Sequence, residues 1–236
     1  MLSVVIPAYN EARRLPATLS TLRDYLEGAG EEREPYEVIV VDDGSSDATA
    51  EGAQEFADAW PELRVMRLPE NHGKGWAVRT GMLAARGELR LFTDADLSTP
   101  ITELPKLRSR IEGSTQVAIG SRALPDSRVE AHQPRHREMM GRSYNRMVQL
   151  LALRGLHDTQ CGFKLFTAQA AIACFTPLRT PGFGFDAEVL LRARRRGWQV
   201  AEVGVVWRHA ENSRVSPLRD SLATFVDMLK LRLRRD

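Results

Sequence analysis

The sequence predicts an α/β protein with a mostly parallel, Rossmann-like sheet covered by helices on both faces. Three observations predict it. Short apolar or β-branched runs alternate with longer stretches of helical spacing through residues 1–120, the rhythm of βαβ units. The run Glu37-Val38-Ile39-Val40-Val41 lacks in–out alternation and suits a strand buried on both faces. Polar residues follow each such run, where open parallel sheets place their ligands.

The elements follow in order. Ser3–Ile6 reads as a strand closed by Pro7. From Glu11 to about Gly28 the spacing is helical, with Leu15, Leu19, Leu22 and Leu26 on one face. The next strand is Glu37–Val41. Asp47 then stands as an N-cap for a helix reaching about Trp60. Leu63–Leu68 is a strand, Gly75–Arg86 a helix, Glu88–Thr93 a strand and Val117–Gly120 another. Residues 121–134 have no periodicity and read as a loop. A long helix is expected from about Arg137 to Leu153, then an irregular stretch over Asp158–Thr167 and a small helix. Gly182-Phe183-Gly184-Phe185-Asp186 reads as a turn, with Asp186 as N-cap of a helix to Arg196. Gln199–Val206 is a strand, and Leu218–Arg235 a basic amphipathic helix. There is no internal repeat and no separating linker. One domain is expected over residues 1–217, in halves 1–120 and 121–217, with 218–236 as a C-terminal helical elaboration.

Composition narrows the function. With 43% hydrophobic and 27% charged residues the chain is globular. Two cysteines, Cys161 and Cys174, exclude a disulfide scaffold and a four-cysteine zinc site and read as small buried hydrophobes. No segment has the roughly 18 uninterrupted apolar residues of a spanning helix. The opening residues have no basic region of a secretion signal. A cytoplasmic protein, peripheral at the inner face of the membrane, is the expectation. Residues 1–120 hold 13 basic against 20 acidic residues, and residues 121–236 hold 20 against 11. An acidic half suits a metal; a basic half suits phosphate or an anionic membrane surface, and equally a solvated face. The histidines have no metal-ligand spacing, and Trp76, Trp198 and Trp207 are expected in the core.

The residues at the strand ends carry the chemistry. They are Pro7-Ala8-Tyr9-Asn10-Glu11, Asp42-Asp43-Gly44-Ser45, Gly73-Lys74-Gly75 and Asp94-Ala95-Asp96. Asp94 and Asp96, two apart on an extended segment, would point the same way. Two carboxylates with substrate phosphates are a common holder of magnesium, although the pair is also a turn former. Gly73-Lys74-Gly75 at a helix start suits an anion, or only caps the helix. Neither Gly-x-Gly-x-x-Gly nor Gly-x-x-x-x-Gly-Lys-Ser/Thr occurs. Co-occurrence of these sites in this order, each at a strand end, gives them weight.

Taken together, Val-Val-Ile-Pro-Ala-Tyr-Asn-Glu, Val-Asp-Asp-Gly-Ser-Ser-Asp, Asn71-His72-Gly73-Lys74-Gly75 and Thr-Asp-Ala-Asp resemble the family 2 glycosyltransferases of the GT-A fold. Gly120-Ser121-Arg122, the run from Asp158 to Lys164 and Gly184-Phe185-Asp186-Ala187-Glu188 resemble the branch that glycosylates polyprenyl phosphates, dolichyl phosphate included. The resemblance runs from residue 3 to about residue 220. It differs from the mannose synthases at Thr159-Gln160-Cys161-Gly162-Phe163-Lys164, and at Gly141, where those enzymes have a serine near the acceptor phosphate. It differs from the eukaryotic glucosyltransferases in beginning at the first strand, where they carry a membrane anchor.

The resemblance implies that residues 1–120 bind a nucleotide sugar, UDP-glucose in the first place, and residues 121–217 the lipid phosphate acceptor. Pro7, Tyr9, Glu11 and Asp42 would frame the base and ribose, with Asp42 on the base. Lys74 would lie near the nucleotide and Gln160 in the substrate site. Asp94 and Asp96 would hold the diphosphate through Mg²⁺ or Mn²⁺, Asp96 most directly. Arg122 and Arg137 would meet the acceptor phosphate, and Arg214 would be a second clamp. Glu188 would orient a partner or a sugar hydroxyl, completing a catalytic set of Asp96, Arg122, Arg214 and Glu188. The expected reaction inverts the anomeric centre and gives a β-linked lipid-phosphate sugar. No nucleic-acid partner is expected. The rivals are a GDP-mannose-dependent synthase, a family 2 enzyme with a non-lipid acceptor and a non-catalytic nucleotide-sugar-binding adaptor.

Overall fold

A computed structural model describes residues 1–28, 34–130, 153–182 and 184–208. The elements are β1 (Leu2–Ala8), α1 (Leu15–Glu27), β2 (Tyr36–Asp42), α2 (Thr49–Asp58), β3 (Leu63–Arg67), α3 (Lys74–Ala84) and β4 (Leu89–Thr93). After a 3₁₀ turn at Ile101–Glu103 come α4 (Leu104–Arg108), β5 (Thr115–Ser121), β6 (Arg128–Val129), β7 (Phe163–Thr167), α5 (Ala168–Phe175), α6 (Phe185–Arg195), β8 (Gln199–Gly204) and β9 (Val206–Trp207).

Seven strands form one sheet in the order β3-β2-β1-β4-β7-β5-β8. All neighbours are parallel except β7, which is antiparallel to β4 and β5. This is the expected α/β class. Successive residues of a strand face opposite sides of the sheet, and the core is split accordingly. Val4, Ile6, Val38 and Val40 pack with Leu15, Leu19 and Leu22 of α1 on one face. Val5, Ile39 and Val41 pack with Ala77, Val78 and Met82 of α3 and with Phe185 of α6 on the other. The α1 stripe is the one the leucine spacing predicts.

Several expectations need correction. Pro7 does not close the first strand, which runs on to Ala8. The Ala8 carbonyl accepts from Asp43 N, so Ala8 faces β2 and Pro7 faces the other side, where pairing with β4 has ended at Val5. Its missing N–H therefore removes no ladder bond. Residues 158–167 are not irregular throughout, because Phe163–Thr167 is a central strand. A lysine at its second position hides it from a hydrophobicity reading; Lys164 is 0% exposed. Asp47 is not the N-cap of α2: that position is Ala48, and the Asp47 carboxylate accepts from Thr49 N instead. The loop after β5 contains β6, pinned to β9, so the expected strand over Gln199–Val206 divides at Val205 and α4 is an added element. Trp207 is buried, but Trp76 and Trp198 are only half-buried. Trp76 carries the Arg79 guanidinium 4.7 Å from its ring centroid. Both cysteines are buried and free, and burial pushes each thiol up to about 11. The helices expected over Arg137–Leu153 and Leu218–Arg235 fall outside the described residues, apart from Leu153. Among the described residues, no helix is long and apolar enough to cross a membrane.

Candidate active site

Strands β2 and β4 flank β1, and the chain runs from β1 to β2 on one side and from β4 toward β5 on the other, so a crevice opens where the strand order reverses, at the carboxyl ends of β1 and β4. A cleft of about 370 Å³ lies there. Its walls include Pro7, Tyr9 and Glu11 after β1, Asp43 after β2, Lys74 at the start of α3, and Asp94 and Asp96 after β4. The strand-end residues singled out in the sequence are thus gathered into one place.

The loops around the cleft are tied to one another. Asn10, at φ 54°, accepts from Ser46 N at 2.8 Å through Oδ1, and its own N–H donates to Ser45 Oγ at 2.8 Å. Glu11 N donates to Thr49 Oγ1 at 2.7 Å, and the Glu11 carboxylate grips Arg14 at 2.7 and 2.8 Å. Asn10 and Leu97 (φ 46°) are the non-glycine residues with positive φ among the described residues. Both border the cleft loops, where backbone strain is commonly kept. Tyr9 stands 40% exposed at the mouth.

Asp94 and Asp96 do not lie on an extended segment as expected. Strand β4 ends at Thr93, and Leu97 N donates to Asp94 O at 3.1 Å, which makes 94–97 a turn. The turn still puts both carboxylates on the cleft wall. Asp96 Oδ1 accepts from Ser98 N at 2.9 Å, and Thr18 Oγ1 of α1 donates to Ala95 O at 2.6 Å. Lys74 Nζ lies 2.6 Å from Asp94 Oδ1, an oxygen that is buried and makes no hydrogen bond of good geometry. Burial works to lower the Lys74 pKa, but Asp94, Asp186 and Asp96 outweigh it and hold the ammonium above the ordinary lysine value.

Two close backbone approaches set this geometry. Asp94 N donates to Gly162 O at 3.1 Å, and a Cβ on Gly162 would meet Asp94 Oδ2 at 2.0 Å. Glycine is what lets the Asp94 carboxyl lie flat on the entry to β7. At Gly73, φ is 95° and a Cβ would meet Pro181 O at 2.7 Å. Gly75 N donates to that same Pro181 oxygen at 2.7 Å. The start of α3, and Lys74 with it, is docked on the 180–182 segment.

The remaining expected residues sit elsewhere. Asp42 is fully buried; its carboxylate accepts from Ser45 N at 3.3 Å and lies 3.5 Å from Arg67 Nε. Its neighbour Asp43 takes the place on the cleft wall, accepting from Asn71 Nδ2, His72 N and Gly73 N at 2.8–2.9 Å. Burial raises the Asp43 carboxyl above its usual range against those N–H groups. Adjacent residues at a strand end point opposite ways, and the sequence alone does not say which aspartate points in. Arg122 is held by Asp158 in a bidentate pair at 2.6 and 2.8 Å and lies 5.4 Å from the Trp207 ring centroid. Burial alone would push the Asp158 carboxyl up, but Arg122 holds it down to about 2. Gln160 N donates to Asp158 Oδ1 at 3.2 Å.

Glu188, expected to orient a partner or a sugar hydroxyl, is 0% exposed and fully engaged with protein groups. It accepts from Arg179 N, Thr180 N and the Arg192 guanidinium at 2.8–3.1 Å, so it staples the segment on which α3 docks. Asp186 is not an N-cap, since Gly184 holds that position. It is buried and forms an ion pair with Lys164, whose Nζ also donates to Cys161 O at 2.6 Å. Sequence reasoning gave no role to Asp43, named only within its strand-end run, nor to Asp158 and Lys164, named only within the run from Asp158 to Lys164 that carried the branch resemblance. Arg137 and Arg214 lie outside the described residues.

Comparison with known proteins agrees with this architecture. The family model for glycosyl transferase family 2 matches residues 3–175. The human dolichyl-phosphate beta-glucosyltransferase is 37% identical over 99% of this chain and 75% of its own length. Its Drosophila melanogaster counterpart is 40% identical over 92% of this chain and 69% of its own. Among solved structures, glucosyl-3-phosphoglycerate synthase from Mycobacterium tuberculosis, in complex with UDP, superimposes with a TM-score of 0.71 at 20% identity. It covers all of this chain and 81% of that one. With a family model matched over well over half its length and relatives above 30% identity along nearly all of it, the chain belongs to glycosyl transferase family 2 and is a glycosyltransferase.

Proposed function

We propose that this enzyme transfers glucose from UDP-glucose to a polyprenyl phosphate of the dolichyl class, inverting the anomeric carbon to give a β-linked product. The observation that carries the reading is identity of 37% along nearly the whole chain to a dolichyl-phosphate beta-glucosyltransferase. The carboxylates and the ammonium on the cleft wall support the reading, and Tyr9 and Glu11 at its mouth are the proposed frame of the nucleoside.

The bond that breaks joins the anomeric carbon to a diphosphate. Positive character grows on the carbon and negative charge on the leaving group. Lys74, above its ordinary pKa, stays cationic at neutral pH and can meet that charge. Asp94 and Asp96 fit a hard divalent cation such as Mg²⁺ or Mn²⁺. Both are carboxylates on one cleft wall, and Asp94 Oδ1 has no hydrogen bond of good geometry. When bound, such a cation supplies charge for the departing diphosphate. The acceptor phosphate has a second pKa of about 6 and is largely dianionic at neutral pH. It needs orientation more than a strong base. Arg137 and Arg214 are the proposed clamps, and Arg122, locked to Asp158, is proposed as a positioning group. The basic residues over 218–236 are proposed to hold the enzyme to an anionic membrane surface.

The deciding experiment offers radiolabelled UDP-glucose and GDP-mannose to the enzyme with a polyprenyl phosphate. Label from UDP-glucose should enter the lipid in the presence of Mg²⁺ or Mn²⁺ and not in EDTA. Faster turnover of GDP-mannose would overturn the donor, and full activity in EDTA would overturn the metal.

A further inference from the structure

The reading of the cleft as a metal and diphosphate site leaves one contact unexplained. The ammonium of Lys74 sits 2.6 Å from Asp94 Oδ1, where a divalent cation would bind. Resting on that reading, we infer that Lys74 is the resident counter-cation of the metal site. Its ammonium holds Asp94 while the donor is absent, leaves when the metal binds, and is taken up by the diphosphate. Metal and nucleotide therefore bind cooperatively, and Lys74 couples them.

The charge balance of the site supports this. Two ammonium groups, Lys74 and Lys164, face three carboxylates, Asp94, Asp96 and Asp186. Lys164 is buried in β7 and already committed to Asp186 and to the Cys161 carbonyl. Lys74 is left to balance Asp94 and Asp96. A divalent cation added alone would set two cations against one carboxylate oxygen, a close like-charge contact in a partly buried place. A nucleoside diphosphate brings negative charge to both cations and gives the displaced ammonium a partner.

Geometry allows the side chain to move while its backbone stays. Lys74 is the first residue of α3. Gly73 N is held by Asp43 at 2.8 Å, and Gly75 N by Pro181 O at 2.7 Å. Its side chain is 20% exposed and lines the same cleft as Tyr9 and Glu11. A flexible four-carbon stem on a fixed backbone lets the charge change partner without moving the helix.

The test is Mn²⁺ binding to the full chain by calorimetry, with and without UDP, for the parent, Lys74→Met, Lys74→Gln and Lys74→Arg. Without UDP, both neutral variants should bind Mn²⁺ roughly tenfold or more tightly than the parent, the scale of one charge-assisted contact removed from competition. UDP should strengthen Mn²⁺ binding in the parent and much less in those variants. Lys74→Arg should keep the weak Mn²⁺ binding of the parent. Unchanged melting temperatures are expected, and the Gln variant carries the test should Met not fold. Neutral variants that bind Mn²⁺ no better than the parent overturn the inference, as does independent binding of Mn²⁺ and UDP. A parent that binds neither Mn²⁺ nor UDP in any combination overturns the metal and diphosphate reading of the cleft as well.

Discussion

At the scale of single residues, the site depends on which side chains the backbone lets come close. A methyl group at Gly162 would fall 2.0–2.5 Å from all three carboxyl atoms of Asp94. Asp94 is 32% exposed and can swing into the cleft, so Gly162→Ala should displace the carboxylate rather than unfold the chain. A displacement of this size costs about 100-fold in rate. The expected result is that loss in transfer from UDP-glucose with an almost unchanged melting temperature; full activity would detach Gly162 from the site. The Arg122–Asp158 pair makes the opposite prediction. Asp158 is 1% exposed, so Arg122→Ala strands a buried carboxylate and should cost about 3 kcal/mol by urea unfolding. Asp158 titrates at about 2 instead of 3.8, so its contribution, about 2 kcal/mol, is complete above pH 4 and fades as pH falls toward 2. Asp158→Asn should show less acid destabilisation across that window; equal acid sensitivity in the two proteins would rule the pair out as its source. These partners are 36 residues apart, so the sequence shows the arginine and hides what it is tied to. It likewise shows Asp42 and Asp43 together and hides which one faces the cleft.

At the scale of elements, what could be read from sequence was what is periodic. The α1 leucine stripe, the apolar run Val38–Val41 of β2 and the alternation of strand and helix through residues 1–120 all follow from spacing. Strand β7 does not, because its central position obeys tertiary structure instead. Lys164 puts an ammonium into the sheet, 5.1 Å from the Phe92 ring centroid, and it is tolerated because Asp186 of α6 meets it there. The short pieces α4, β6 and β9 were missed because two to five residues carry no period. Buried ion pairs contribute little net stability, yet losing one partner is costly. Lys164→Met should therefore destabilise the fold by about 3 kcal/mol, and the double replacement Lys164→Met/Asp186→Leu should recover most of that loss. Urea unfolding of the two proteins decides it. A single variant as stable as the parent would mean that Asp186 takes up a proton at no cost and that the pair does not lock β7 to α6.

At the scale of the whole molecule, the sheet joins two oppositely charged halves of the sequence. Strands β1–β4 come from the half that holds 20 acidic against 13 basic residues, and β7 and β8 from the half that holds 11 against 20. The described cleft draws its carboxylates from the first half. Most of the second half's surplus of positive charge lies after residue 130, in keeping with the proposed contact to lipid phosphate. The basic residues of 218–236 are interleaved with apolar Leu218, Leu222, Phe225 and Leu229 in helical spacing. Such a segment binds an interface through two separable terms, apolar area and attraction to anionic lipid of about 1 kcal/mol per Lys or Arg near the surface. Only the second is screened by salt, because the Debye length shrinks from about 10 Å at 0.1 M to about 3 Å at 1 M. Sedimentation with phosphatidylserine-containing vesicles should therefore be strong at the lower salt and much weaker at the higher. Neutral vesicles should bind weakly at both, and removal of residues 218–236 should abolish most of the anionic binding while the chain still binds UDP. Equal binding to neutral and anionic vesicles would assign the contact to apolar area alone. Undiminished binding after the removal would place the membrane-facing charge elsewhere in the basic half.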